Sequence, residues 1–203
     1  MTHSTQLYTR LEELLPRAAH KPLFKLLEKY EVAIRISRPR SSKWGDYRYG
    51  RGLVQPVISV NGDLHESLFL LTLVHEFAHH SVAINFPRRV KPHGTEWQST
   101  FQDMLSPFLE NGSFPNEILP ELKRHMMKPK ATVTADPKLH TALMKLRGNE
   151  GPFLFELSSG QCFVFNQRTY QMQGKRRTRF VCKDVSSGRQ YLFRSSVAVS
   201  FPA

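Results

Sequence analysis

Leu68-Phe69-Leu70-Leu71-Thr72-Leu73-Val74-His75-Glu76-Phe77-Ala78-His79-His80 is the stretch on which the reading of this 203-residue chain turns. Its first half is apolar apart from Thr72, which predicts a helix through the middle of a core rather than along its surface. Helical residues four apart share a face, so His75 and His79 offer two imidazole nitrogens to one cation, with Glu76 beside them. Without a metal, a buried His-Glu-x-x-His would leave polar groups unsatisfied, which favours a metal site over a chance pattern. Zinc suits nitrogen ligands in tetrahedral geometry, and with one position open it lowers the pKa of a water towards neutrality. One zinc per chain is expected, with Glu76 as the base.

The third ligand decides the type of site. A metzincin needs Gly and His three and six residues after His79, where Val82 and Asn85 stand, so that class is excluded. A glutamate from a later helix, Glu96 or Glu110, is a possible ligand. The better candidate is His93, in Lys91-Pro92-His93-Gly94-Thr95-Glu96-Trp97. Pro87 is expected to stop the first helix, and a short loop to return His93. Thr95 and Gln98 read as a capping box opening the next helix, with Trp97, Phe101, Met104 and Leu105 as its apolar stripe. His80 is expected to point away from the pair, as a supporting or surface residue.

His75-Glu76-Phe77-Ala78-His79 followed by His93-Gly94-Thr95-Glu96-Trp97 resembles the SprT-like metallopeptidases, the family of Spartan. Ser42-Lys43-Trp44-Gly45-Asp46-Tyr47-Arg48 and Pro56-Val57-Ile58-Ser59-Val60-Asn61 resemble that family's hairpin before the active helix. The resemblance spans residues 20 to 127. It implies a zinc peptidase with His75, His79 and His93 as ligands and Glu76 as base, associated with DNA and with proteins crosslinked to it.

Charge divides the chain unevenly within a net +12. Residues 1–60 carry eleven Lys/Arg against five Asp/Glu, 61–110 three against six, 111–150 seven against four, and 151–203 eight against two. Basic ends suit a polyanion such as nucleic acid. With no signal-like start, no membrane-length apolar run and only Cys162 and Cys182, a cytoplasmic protein that does not enter a membrane is expected.

The expected fold is α+β: a zincin-like domain over 1–127 with a central HExxH helix and a small antiparallel sheet, a linker and short helix over 128–151, and a β-rich basic module over 152–203. Helices are expected at 6–16, 21–30 and 115–126, and strands at 31–37, 47–49 and 55–60. Asp63 with Glu66 would cap the active helix, and the strand Gln55 to Ser59 would border the cleft and pair with substrate backbone. Arg38, Arg40 and Lys43 are possible phosphate contacts, though a charged hairpin end explains them as well. Asp136 and Pro137 open a short helix stopped by Gly148. Strands follow at 153–157, 161–165, 169–172, 178–183 and 190–194, with Gly174 as a break.

By its turns the C-terminal module resembles the family's zinc ribbon, but its knuckle positions hold Glu156, Ser159, Cys182 and Val185, so it must stand on Phe153, Phe155, Phe163, Phe165, Phe180, Tyr191 and Phe193. Lys175, Arg176, Arg177 and Arg179, interleaved with Tyr170 and Phe180, are the candidate nucleic-acid contacts, by phosphate pairing or base stacking. A zinc endopeptidase acting on DNA-associated proteins is the expectation. The alternatives are a DNA-binding adaptor with a structural zinc, or a zinc hydrolase of a non-peptide substrate. Tyr47, Tyr49, His80 or backbone amides could stabilise an oxyanion.

Overall fold

The computed structural model describes residues 3–40, 43–50, 52, 54–86, 90–148, 151–177, 179–195 and 197–202. They form two compact units, Met1–Ala131 and Thr132–Ala203, divided inside the segment read as a linker. The architecture is α+β.

In the first unit the leucine spacing produces α1 (His3–Leu14) and α2 (Arg17–Lys29), which bury Leu11, Ala19 and Leu23 completely. Pro22, inside α2, has no N–H for the Ala18 carbonyl, and the Asn111 side-chain amide donates to that oxygen instead at 2.8 Å. The strands β1 (Ala33–Ser37), β2 (Gly45–Arg48) and β3 (Val57–Asn61) lie in the order β1-β3-β2. β1 runs parallel to β3 and β2 antiparallel, so the sheet is mixed and not purely antiparallel as expected. Burial is the reason: Ile58 and Val60 are fully buried, so β3 takes the centre and has a partner on each edge.

Arg40 ties down the β1–β2 connection. Its Nε donates to Asn61 Oδ1 at 2.7 Å and its Nη1 to Ser59 Oγ at 3.1 Å, while Asn61 Nδ2 donates to the carbonyls of Arg40 and Lys43. Arg40 is therefore a structural residue, and Lys43 pairs with Asp46 at 2.8 Å.

The apolar stretch becomes α3 (Glu66–Asn85), buried nearly all round. By length and composition α3 is long and apolar enough to cross a membrane, but its apolar run is interrupted by His75, Glu76, His79 and His80, and most of it is core. Its N-cap is His65, whose Nδ1 accepts from the Ser67 N–H at 3.3 Å. The expected Asp63 cap does not form, because residues 61–63 are still turning out of β3. Pro87 lies outside the described residues; the last turn closes with Phe86 N–H on the Val82 carbonyl. α4 (Thr95–Glu110) starts on Gly94 with no side-chain cap, and α5 (Leu119–Met127) starts later than expected.

In the second unit α6 (Pro137–Lys145) has the expected cap, Asp136 accepting from the Leu139 N–H. The expected strand at 153–157 is instead a 3-10 turn over Leu154–Glu156, because the Glu156 carboxylate takes the Phe153 N–H at 2.9 Å. β4 (Cys162–Phe165), β5 (Arg168–Arg176), β6 (Arg179–Asp184) and β7 (Gln190–Arg194) follow as an antiparallel meander. Gly174 does not break β5; the strand absorbs it as a bulge. The core gathers Leu154, Phe163, Tyr170, Met172, Cys182 and Phe193, while Tyr191 of the expected set is exposed.

Candidate metal centre

Two adjacent stripes of α3 do different things. His75 and His79 turn towards α4, where the indole of Trp97 packs on their rings at 4.6 and 5.4 Å between centroids. Thr72, Glu76 and His80, one residue further round, turn towards β2. The i, i+4 rule of the helix makes both stripes, and the sequence places chemistry on each.

His93 completes the first stripe from the loop before α4. Its backbone is left-handed, with φ of 58°. Gly94 follows because a Cβ there would meet the Lys91 carbonyl at 2.9 Å. The Gln98 amide donates to the His93 carbonyl at 3.3 Å and to that of Pro129 at 3.4 Å. The Thr95–Gln98 capping box is therefore absent: Gln98 holds the His93 loop instead. The His93 ring also packs on Trp97, which is itself stacked on Phe101.

The three Nε2 atoms form a triangle with sides of 3.2 Å (His75–His79), 2.9 Å (His79–His93) and 3.3 Å (His75–His93). Ligand nitrogens roughly 2.0–2.1 Å from a tetrahedral zinc lie roughly 3.3–3.4 Å apart, so this triangle is close to one face of that tetrahedron. Burial, together with the other two rings and His125, pushes His75 well below the ordinary imidazole value. Burial and His93 push His79 down to about 4, and burial lowers His93. Three imidazoles kept neutral with their Nε2 lone pairs convergent can hold a metal ion. Among the described residues this is the one such group; Glu96 and Glu110 do not join it, and the C-terminal module contributes none.

Glu76 is buried beneath β2. Its carboxyl is pushed up to about 8, chiefly by burial and then by the charge of Asp46, against the opposing pull of Lys43, Arg40 and a hydrogen bond from the Tyr47 N–H. The strand can come this close because residue 45 is glycine. A Cβ on Gly45 would lie 2.7 Å from Glu76 Oε1 and 2.6 Å from Thr72 Cγ2. The strand expected at 47–49 begins at Gly45, so this glycine lies inside β2, where a missing side chain permits close backbone approach.

Strand parity shows how Tyr47 reaches Glu76. Asn61 N–H donates to the Trp44 carbonyl, so in the antiparallel register residues 44 and 46 bond to β3 while Gly45 and Tyr47 turn their backbone groups outward. β2 thus has the free edge beside Glu76. β3 is paired on both sides, which overturns the expectation that Gln55 to Ser59 receives a substrate strand. Tyr47 Oη and His80 Nδ1 lie 3.3 Å apart, and His80 is 2% exposed against Tyr30, so His80 is a buried supporting residue. Tyr49 is largely exposed.

In the second unit Lys175, Arg176, Arg177 and Arg179 are all exposed at the β5–β6 turn. Arg176, Arg179 and Arg194 are cross-strand neighbours, with no acidic partner among the described residues. Tyr170 is core and Phe180 packs against it, so these two aromatics face inward and are not a base-stacking platform. Comparison of the chain with protein-family models, with curated proteins and with solved structures found no match in any of the three.

Proposed function

We propose that this chain is a SprT-like zinc endopeptidase acting on proteins bound or crosslinked to DNA. The observation that carries the reading is the triangle of His75, His79 and His93 Nε2 atoms beside a buried carboxylate held by the Tyr47 N–H. Zinc bound there would supply Lewis acidity, polarising a carbonyl and lowering the pKa of a water. A bound cation would favour the charged form of the Glu76 carboxyl against the burial that raises it, and the carboxylate could then accept the proton of the attacking water and pass it to the leaving amine nitrogen. The outward carbonyl of Tyr47 gives an extended substrate an acceptor on the free edge of β2. A structural zinc closes all four positions with protein donors; three donors converge here next to a carboxylate, which favours catalysis over an adaptor role. The DNA part of the reading is supported by the net charge of +12 and by the arginine row, which has no acidic partner among the described residues.

Digestion of casein and of a DNA-binding protein, with zinc and with or without DNA, tests the proposal against Glu76→Gln. The wild type is expected to cleave, and the variant to retain metal and lose cleavage. Full activity in Glu76→Gln, or an inert zinc-loaded wild type on every substrate, overturns it.

A further inference from the structure

A groove of about 650 Å3 lies in the first unit between α2, α4 and the end of α3, lined by residues other than the three histidines and Glu76. Its volume is in the range of real binding clefts, roughly 300–1,000 Å3. One wall is the α2 stripe Pro22, Leu26 and Tyr30, and the other side adds Met104, Phe108 and the 41%-exposed Phe86. Along the α2 rim run Lys21, Lys25 and Lys29, four residues apart and all exposed. None has an acidic partner among the described residues, and Lys29 Nζ sits 5.3 Å from the centre of the Tyr30 ring. The facing rim carries a single charge, Asp103.

We propose that this groove docks an acidic amphipathic helix of a partner protein. Spacing and chemistry choose that occupant. Three cations at i, i+4 and i+8 lie on one helix stripe at intervals of about 6 Å, a spacing that acidic residues at the same positions of a second helix reproduce. A single-headed anionic amphiphile would satisfy one lysine and leave two. An extended peptide would carry a full row of backbone N–H and C=O groups into a cleft walled by helices, which offer no strand edge to pair them, whereas a helix satisfies its own. A phosphate backbone would match the lysines but leave the apolar floor unfilled. Apolar residues at i, i+3, i+4 and i+7 of the partner fill that floor, as in other helix-in-groove complexes.

Fluorescence anisotropy of the full chain tests this with a labelled designed helical peptide that carries a Leu/Phe stripe flanked by Glu at i, i+4 and i+8, and with its Lys-for-Glu counterpart. The acidic peptide is expected to bind saturably and the basic one at least about tenfold more weakly. The Lys21→Glu/Lys25→Glu/Lys29→Glu variant should reverse that order. A Lys→Gln triple variant, which should lose binding without reversal, serves if the reversed protein does not fold by circular dichroism. Equal affinity for the two peptides, no saturable binding of the acidic one, or single-stranded oligonucleotide binding through these lysines in its place overturns the proposal. Casein cleavage read alongside separates this result from the peptidase reading, since the rim lysines touch none of its residues.

Discussion

Gly45 is where a missing side chain lets β2 approach Glu76, the residue that acts as base in the proposed function. Because a Cβ there would stand inside the contact distance of both Glu76 Oε1 and Thr72 Cγ2, Gly45→Ala must either lift β2 or swing the carboxylate. A displacement of about 1 Å at a reacting group costs on the order of a hundredfold in rate, so kcat should fall by at least about tenfold. Metal content should be unchanged, because the three histidines face α4 and not β2. The Gly45→Ala/Thr72→Ala variant relieves the methyl contact and leaves the carboxylate contact, so it should stay impaired. A metal-loaded Gly45→Ala variant as active in the proposed cleavage as the parent chain would mean that the strand yields without disturbing Glu76. Gln98 and Trp97 act in the same way through backbone and ring packing, one holding the His93 carbonyl and the other closing against all three imidazoles.

Among the elements, the β6–β7 turn shows how the C-terminal module stands without zinc-ribbon cysteines. Asp184 is buried, and its Oδ1 accepts from the Ser186 Oγ at 2.7 Å and from the Ser186 and Ser187 N–H groups at 2.9 Å each. The Ser186 hydroxyl and the Ser187 N–H hold its carboxyl down to about 2. A depressed carboxylate stabilises the fold fully above its ordinary value of 3.8, and that contribution fades as the pH falls towards about 2. Asp184→Ala should therefore lower the melting temperature near neutral pH, and the gap should close as the melts are taken down through that window. A gap independent of pH would assign the turn's stability to packing alone. The same element logic explains Gly174, since a long strand that must bend can carry its extra residue as a bulge rather than end.

For the whole molecule, charge is divided between units that have different work in the proposed function. The segment containing α3 is net acidic, whereas residues 151–203 carry eight basic residues against two acidic. If phosphate contact through the exposed turn dominates nucleic-acid binding, affinity should fall steeply with salt and depend little on base sequence. Replacing Lys175, Arg176, Arg177 and Arg179 with Ala should flatten the salt slope in proportion to the phosphates that these side chains neutralise. Peptide cleavage in the absence of DNA should be nearly unaffected. A slope unchanged in the quadruple variant would leave the turn as a solvated face. Base stacking by Tyr170 or Phe180 is not expected to contribute, because Tyr170 belongs to the module's core and Phe180 packs against that core.

Local periodicity was enough to determine the pairing of His75 with His79, the adjacency of Glu76, the burial of α3 and the Asp136–Pro137 start of α6. Each depends on residues within a turn or two of one another, where helix geometry leaves little choice. The order and direction of the first sheet, the free edge at β2 and the closeness of Gly45 to Glu76 were decided only in three dimensions. A strand's place in a sheet follows from how much apolar surface it must cover, and Ile58 and Val60 draw β3 to the centre between β1 and β2, the two strands that precede it. The two expected capping boxes gave way to different tertiary demands: a turn precedes α3, whose N-cap is His65, and the Gln98 amide found the carbonyls of His93 and Pro129 instead of its own helix end. His93 belonged to both levels. Its candidacy was readable in the chain, but its arrival within hydrogen-bond distance of the other two rings required a left-handed residue, a glycine and a packed indole to agree on one loop.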